Sequence, residues 1–352
     1  MPVINNKIKI VIILLITALI LGIILFVISY ILNPPLKTEQ VSANQILFPS
    51  LSTDNKSLLY FNNQDEAAFY KMDLQNKAIV KLSDDMDTPN DVKWSPKKDK
   101  VILKIIYQKE IFEKYGSPFI DYKTTDQTIT FWIFDLNSKK LFKLNDFITD
   151  VIWEANSEEI VYINKDTESG QNEIYKANVD GSNNQKLTDL KTRIYRILSY
   201  NQKTNSLIYA TNSGTQDQIE THVYKIHQNN QPTELFSNAL AGSISVSPDN
   251  KKIIYSKDDN LYLFDIESNQ TNIIFEKIQN SIFTWTVDGQ LIVVFDYNKS
   301  VKLYKVTTTP LKKTLLNVKN LQTDITNLTI STDDKTLYLI SKNLLYKLVI
   351  DK

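Results

Sequence analysis

Few residues in this chain could do chemistry. There is no cysteine and there are two histidines. Disulfides, thiolate nucleophiles and cysteine-based zinc sites are therefore excluded. His222 and His227 stand five apart on one strand-like segment. An odd spacing on a strand points their rings to opposite faces, so they cannot share a metal ion. The fragment Ala241-Gly242-Ser243-Ile244-Ser245 lacks the second glycine of a G-x-S-x-G nucleophile elbow. Asp84, Asp85, Asp87 and Asp91 crowd one connection. Oxygen-rich loops bind Ca²⁺, but this spacing departs from D-x-D-x-D-G, and a solvated loop is expected. Asp180-Gly181-Ser182 falls between two strand patterns and reads as a hairpin turn. No catalytic residue, cofactor or metal site is expected, and the chain reads as a non-enzyme.

Charge narrows the partners. The 352 residues hold 40 basic and 40 acidic side chains. With no basic excess, nucleic acid is not an expected partner, and steering toward anionic lipid or polymer is not expected either. Aromatic residues are abundant, with 18 Tyr and 15 Phe, whereas Gly occurs only 7 times.

The elements that must position any site come from a repeat. In Ser247-Pro248-Asp249-Asn250-Lys251-Lys252 a turn leads into Ile253-Ile254-Tyr255-Ser256, and a short polar break leads into Leu261-Tyr262-Leu263-Phe264. Pro, Asp and Asn supply turn chemistry, and the flanking β-branched and aromatic residues fit strands. The same unit begins strands at Leu58, Val101, Ile160, Leu207, Leu291 and Leu337. That makes seven copies, spaced by 38 to 59 residues. A strand precedes each turn, and a second and a third strand follow the first. Four strands per unit at this period predict an all-β, seven-bladed propeller of four-stranded antiparallel blades over residues 38–352. The last copy lacks a fourth strand, and residues 38–46 are expected to supply it and close the ring.

Ser-Pro-Asp-Asn-Lys-Lys-Ile-Ile-Tyr at 247–255 resembles the core of TolB-type (WD40-like) propeller repeats. Tyr175 to Thr188, with Asn178-Val179-Asp180-Gly181-Ser182 at its centre, is similar to the hairpin of the same family. The resemblance covers residues 45–350 and departs where Asn, Asp or Lys replaces the turn glycine. It implies the fold. That fold hosts binding platforms, enzymes and peptidase accessory domains, so function must be argued from a site.

Two further segments stand out. The connection 108–129, in the second copy, is 22 residues long and carries Phe112, Tyr115, Phe119 and Tyr122. Connections of this kind emerge on one face of a propeller, and the long ones fall in copies two to four. The four rings either pack onto their own blade or face outward as anchors for a partner, because aromatic residues dominate binding hot spots. The other segment is residues 10–31, where 17 of 22 are Ile, Leu, Val or Phe and none is charged. A helix of that length spans about 33 Å, enough for the ~30 Å of a bilayer core. The expectation is a short cytoplasmic tail (1–9), an uncleaved transmembrane helix (10–32), a linker (33–37) and an extracytoplasmic propeller, with Lys7 and Lys9 setting the orientation. The expected function is non-catalytic binding of a protein or peptide partner at the cell envelope. A cell-wall or carbohydrate-binding module and a propeller lyase or cyclase are the alternatives.

Overall fold

The computed structural model describes residues 15–24 and 35–350, except 43, 65, 115–120, 155, 166–171, 191–193, 216–217, 228–230, 240–243, 298–299 and 320. Seven sheets form the blades: six of four antiparallel strands in sequence order from the axis outward, and a last one of five strands that breaks this order. The inner strands are Leu47–Leu51, Asp91–Trp94, Ile148–Trp153, Ile194–Asn201, Ile244–Val246, Gln279–Trp285 and Ile325–Ile330. The last blade takes its outer strand from the opposite end of the chain. Leu36–Gln40 lies antiparallel to Leu344–Val349 and parallel to Val318–Lys319. This closing strand starts inside the segment read as a linker, because Leu36 pairs with Val318 and reaches the core between blades six and seven.

Burial explains why these apolar runs become strands. Every position of Ser57–Asn62, the second strand of blade one, is buried, so both faces of the sheet are covered. The outer strands Ile79–Lys81 and Leu311–Leu315 are exposed throughout. Among the described residues the core divides into seven clusters, one at each interface between consecutive blades. Ile254, Leu261 and Leu263 of blade five pack on Leu291, Val293 and Phe295 of blade six. Tyr338, Ile340 and Leu345 of blade seven pack on Leu58, Tyr60 and Met72 of blade one. In four blades a tyrosine pair sits directly opposite across the second and third strands and stacks: Tyr60–Tyr70, Tyr162–Tyr175, Tyr209–Tyr224 and Tyr255–Tyr262. Burial pushes the Tyr60 hydroxyl up to about 12, so it stays neutral.

Two hydrogen-bond devices tie neighbouring blades. Indole N–H groups reach back to the preceding inner strand: Trp94 to the Phe48 carbonyl at 2.8 Å, Trp153 to the Lys93 carbonyl at 2.7 Å, and Trp285 to Ser245 Oγ at 3.2 Å. The second device lies in the turns after the inner strands. Each turn holds one residue at positive φ: Asn55, Lys98, Ser157, Asn205, Asn250, Gly289 and Asp334. Only one of these is glycine, and the side chains supply the reason. Ser157 Oγ accepts the Lys97 N–H at 2.9 Å, Asp334 Oδ1 accepts the Val287 N–H at 3.0 Å, and Asn250 accepts from Ser199. Asn55 accepts the Thr332 N–H at 3.0 Å and donates to its hydroxyl, which closes blade seven onto blade one. Lys98 has no acceptor to offer. Its half-buried ammonium finds no partner among the described residues, and burial pulls its pKa down.

The long insert of blade two is not a loop. Lys100–Lys114 and Asp121–Asp135 pair without a break from Lys100↔Asp135 to Lys114↔Asp121. The inner strand follows this hairpin only as far as Lys104, so its far end is a two-stranded ribbon beyond the sheet. At the N-terminus, residues 15–24 form a helix whose apolar side chains, Leu15 and Leu19 among them, are exposed. No helix among the described residues is long and apolar enough to cross a membrane. The rest of the expected span 10–32 lies outside the described residues.

Two outcomes follow. A non-glycine residue at positive φ costs about 1–2 kcal/mol, partly offset by the chain entropy glycine loses on folding. Lys98→Gly is expected to stabilise the fold by about 0.5–1 kcal/mol in denaturant melts, whereas Ser157→Gly gives up a bond between blades and gains nothing. The turn carboxylates Asp54, Asp73, Asp265 and Asp333 lie below the ordinary range. Hydrogen bonds are the largest cause: from the Ser52 and Ser331 hydroxyls to Asp54 and Asp333, and from the Asn76 and Ser268 backbone N–H groups to Asp73 and Asp265. A pKa depressed on folding gives stability that is present above the unfolded value and lost as pH falls through the folded one. Thermal midpoints should hold down to about pH 5 and drop below about pH 4. An Asp54→Asn, Asp333→Asn double variant should show a shallower acid loss.

Candidate functional site

The innermost strands set the site, because their side chains meet around the axis. Those of blades one, five, six and seven read LFPSL, ISV, QNSIFTW and ITNLTI and hold no charged residue. Those of blades two, three and four read DVKW, ITDVIW and IYRILSYN and hold four: Asp91, Lys93, Asp150 and Arg196. All four line one cavity of about 470 Å³, together with Lys104, Ile129 and Thr149. Asp91 begins its strand, and Lys104 and Ile129 lie where the blade-two ribbon leaves its sheet. The cavity therefore opens on the face that carries the ribbon, opposite the turns of the positive-φ ring.

Asp150 is the tie at the base of this cavity. Its Oδ1 accepts from Lys93 Nζ at 2.8 Å, and its Oδ2 accepts the Ile197 N–H at 2.8 Å. Lys93 also donates to the Val151 carbonyl at 2.9 Å. One carboxylate thus joins blades two, three and four. Asp150 is buried and Lys93 is half-buried, so this pair is shielded from solvent. Strand irregularities make the geometry possible. Pairing shifts between Ile148 and Asp150 and again between Ile194 and Arg196, and such shifts re-aim side chains. The inner strands of blades one, six and seven carry similar shifts, so what singles out the arc is the charged residue placed at the shift.

With Lys93 and Asp150 satisfied by each other, the open charges are Arg196, Lys104 and Asp91. Among the described residues, neither the Arg196 guanidinium nor the Lys104 ammonium has a hydrogen-bond or ion-pair partner. Asp91 receives its own Val92 N–H on Oδ1 and leaves Oδ2 open. The arrangement can hold an anionic group between two cations and accept a proton donor at Asp91. Sequence reasoning missed it. Of the 40 basic residues only Arg193 and Arg196 are arginine, and both fall at the start of the blade-four inner strand. That bias was the available signal.

The residues singled out from sequence are scattered. Phe112 faces Lys123, and Tyr122 faces Glu113, in the register of the ribbon, while Tyr115 and Phe119 lie outside the described residues. Of the acidic connection, Asp85 pairs with Lys81 at 2.7 Å, Asp87 accepts from the Tyr107 hydroxyl at 3.0 Å, and Asp91 lines the cavity. Asp180 accepts from the Ser182 N–H and hydroxyl in a turn where Gly181 has positive φ. His222 Nδ1 lies 2.9 Å from Glu234 Oε1 and its Nε2 lies 2.8 Å from Ser213 Oγ, on the flank of blade four. His227 borders a small apolar crevice with Tyr200 and Ile226. Ser243 lies outside the described residues. Among the described residues no three His, Asp or Glu side chains gather as a metal site.

Residues 117–259 match the family described as dipeptidyl peptidase IV (DPP IV) N-terminal region. The TolB-type resemblance rests on its own motif residues. No curated protein matches the sequence. Among solved structures, an oligogalacturonate lyase in complex with manganese is similar, with a TM-score of 0.59 and 11% identity, covering 90% of this chain and 97% of that one. The oligogalacturonate lyase of Vibrio parahaemolyticus has a TM-score of 0.57 and 10% identity, covering 90% of this chain and 98% of its own. A chain of the mitotic checkpoint complex has a TM-score of 0.54 and 10% identity, covering 89% and 93%. At these identities the likeness establishes the fold. It also corrects the non-enzyme reading: two of these three whole-length neighbours are lyases, so this fold serves enzymes as well as a checkpoint assembly, and ionisable residues do gather in one cavity here. A sparse sequence inventory does not separate this propeller from catalytic ones.

Breaking the Asp150 tie should be costly, because it strands a half-buried lysine and a buried backbone N–H. Asp150→Ala is expected to lose about 3 kcal/mol of unfolding free energy in denaturant melts. Thr149→Ala, which touches no such bond, is expected to change little.

Proposed function

We propose that this chain is a membrane-tethered propeller that binds a protein or peptide partner at the cell envelope, on the face carrying the blade-two ribbon and the charged cavity. One observation carries the reading: every charged residue of the seven described inner strands falls in three consecutive blades, and together they line one cavity. Arg196 anchors an acidic group of the partner, since its planar guanidinium suits bidentate carboxylate recognition. The exposed apolar helix at residues 15–24 supports a tether, because an uncovered apolar stripe of this kind needs a lipid or protein cover. On this reading residues 10–32 cross the membrane, the N-terminus is cytoplasmic and the propeller is extracytoplasmic.

A second reading is lyase chemistry on an acid-bearing saccharide. The same charged arc and the likeness to two oligogalacturonate lyases favour it. Arg196 and Lys104 would neutralise a carboxylate, Asp91 would take the proton from the adjacent carbon, and the electron pair left behind would form the ring double bond as the glycosidic C–O bond breaks, the departing oxygen taking a proton from water.

Crosslinking the intact protein in its own membrane and identifying the attached proteins tests the first reading. Attachments should disappear in a variant lacking residues 108–129 and in Arg196→Ala. If both variants recover the same attachments as the parent chain, the binding face is wrongly placed. The second reading requires ultraviolet-absorbing unsaturated products from trigalacturonate, abolished in Asp91→Asn.

A further inference from the structure

The chemistry of the cavity goes beyond a generic acidic contact. Resting on the platform reading above, we infer that the cavity takes the free C-terminal end of an extended peptide, with Arg196 and Lys104 holding its α-carboxylate. Four observations converge on a chain end.

First, the open charge is small and of mixed sign. Lys93 and Asp150 are closed to one another, which leaves two cations and one carboxylate. That suits a single carboxylate with a nearby N–H. A polyanion would bring its second negative charge against Asp91. Second, the groups match the last residue of a peptide. The guanidinium and ammonium meet the carboxylate, Asp91 Oδ2 accepts the terminal amide N–H, and the exposed Thr149 hydroxyl supplies a further partner. Third, Ile129 provides an apolar wall among otherwise polar groups, enough to favour an apolar last side chain. Fourth, the site lies at the ribbon-bearing end of the inner strands of blades two to four, in a cavity the size of a small-ligand pocket. A chain end can enter there end-on, whereas a side-chain acid on a folded surface must carry its backbone in with it.

Arginine is the residue that this geometry calls for. The chain uses lysine at 38 of its 40 basic positions and places one of its two arginines, Arg196, on a cavity strand. A lysine would supply the charge but not the two parallel N–H donors that fix a carboxylate's plane.

The test is calorimetric titration of the full chain in detergent micelles with three probes: acetyl-Ala-Ala-Leu as the free acid, the same peptide as the C-terminal amide, and trigalacturonate. The free acid should bind at least tenfold more tightly than the amide. Arg196→Ala should weaken the acid at least tenfold without changing the amide, and Arg196→Lys should fall between. An unchanged melting temperature of Arg196→Ala shows that the effect is local. Equal binding of acid and amide overturns the inference, as does binding of neither. Binding of trigalacturonate alone overturns it and assigns the cavity to an acidic saccharide. The platform reading fails separately. Membrane attachments lost in Arg196→Ala while acid and amide bind alike leave the platform standing and remove the chain end. Selective binding of the acid with unaltered attachments removes the platform and keeps the chain end.

Discussion

A four-stranded sheet with two apolar faces cannot stay in water alone, and this single constraint organises the molecule. Each blade is covered by the blade before it and the blade after it, and the described core is accordingly split into seven clusters between blades rather than gathered in one centre. Coverage of this kind has no natural end until the ring closes. The seam between blades seven and one therefore carries a full set of fastenings: a strand from residues 36–40, the cluster around Tyr60 and Tyr338, and the pairing of Asn55 with Thr332. Long-range fastenings at the seam fix the inner strands as firmly there as elsewhere.

Fixed inner strands are what make a charged arc tolerable. Charges near the axis lose water on several sides, and an isolated one would be strongly unfavourable. Asp150 meets that difficulty by collecting a lysine from one neighbour and a backbone N–H from the other. Its bonds also hold three blades in one relative position. The rigid part of the site is thus the part that ligand does not need, and the open part, Arg196 with Lys104 and Asp91, stands on a frame already set. A binding group held this way is pre-organised, and little ordering remains to be done when ligand arrives.

The repeat was legible because its signals are local. Ser247-Pro248-Asp249-Asn250 announces a turn, and Ile253-Ile254-Tyr255 a buried strand. Other features were hidden for definite physical reasons. The turn positions lacking glycine could be read only as backbone tolerance, yet Ser157, Asn250 and Asp334 are there to accept bonds from the preceding blade, and a partner across a blade interface leaves no trace in local sequence. The insert of blade two reads as a loop because Gln108, Lys109, Glu110, Asp126 and Gln127 are poor strand signals. Paired in register with each other, they form strand nonetheless. The cavity was missed because its inner strands are short and read mainly as the approach to each turn. Lys93 sat in plain view between Val92 and Trp94, but its partner is 57 residues away.

Where any reaction would occur follows from the same geometry. The Ser213–His222–Glu234 chain has the order of a nucleophile, a base and an orienting acid, so it invites a catalytic reading. Its position argues otherwise. His222 precedes the stacked Tyr224 by two residues, as Glu173 precedes the stacked Tyr175, and Glu234 faces Tyr224 as Lys186 faces Tyr175. Blade three bridges those two positions with a Glu173–Lys186 ion pair at 2.5 Å, and blade four bridges them with His222 and Glu234. The histidine is one version of a cross-strand bridge that recurs in the neighbouring blade, on a flank rather than in a cavity. Charged groups with no structural partner, Arg196 and Lys104, gather instead in the cavity, beside the open carboxylate oxygen of Asp91, where the fold holds side chains in place without using them to hold itself together.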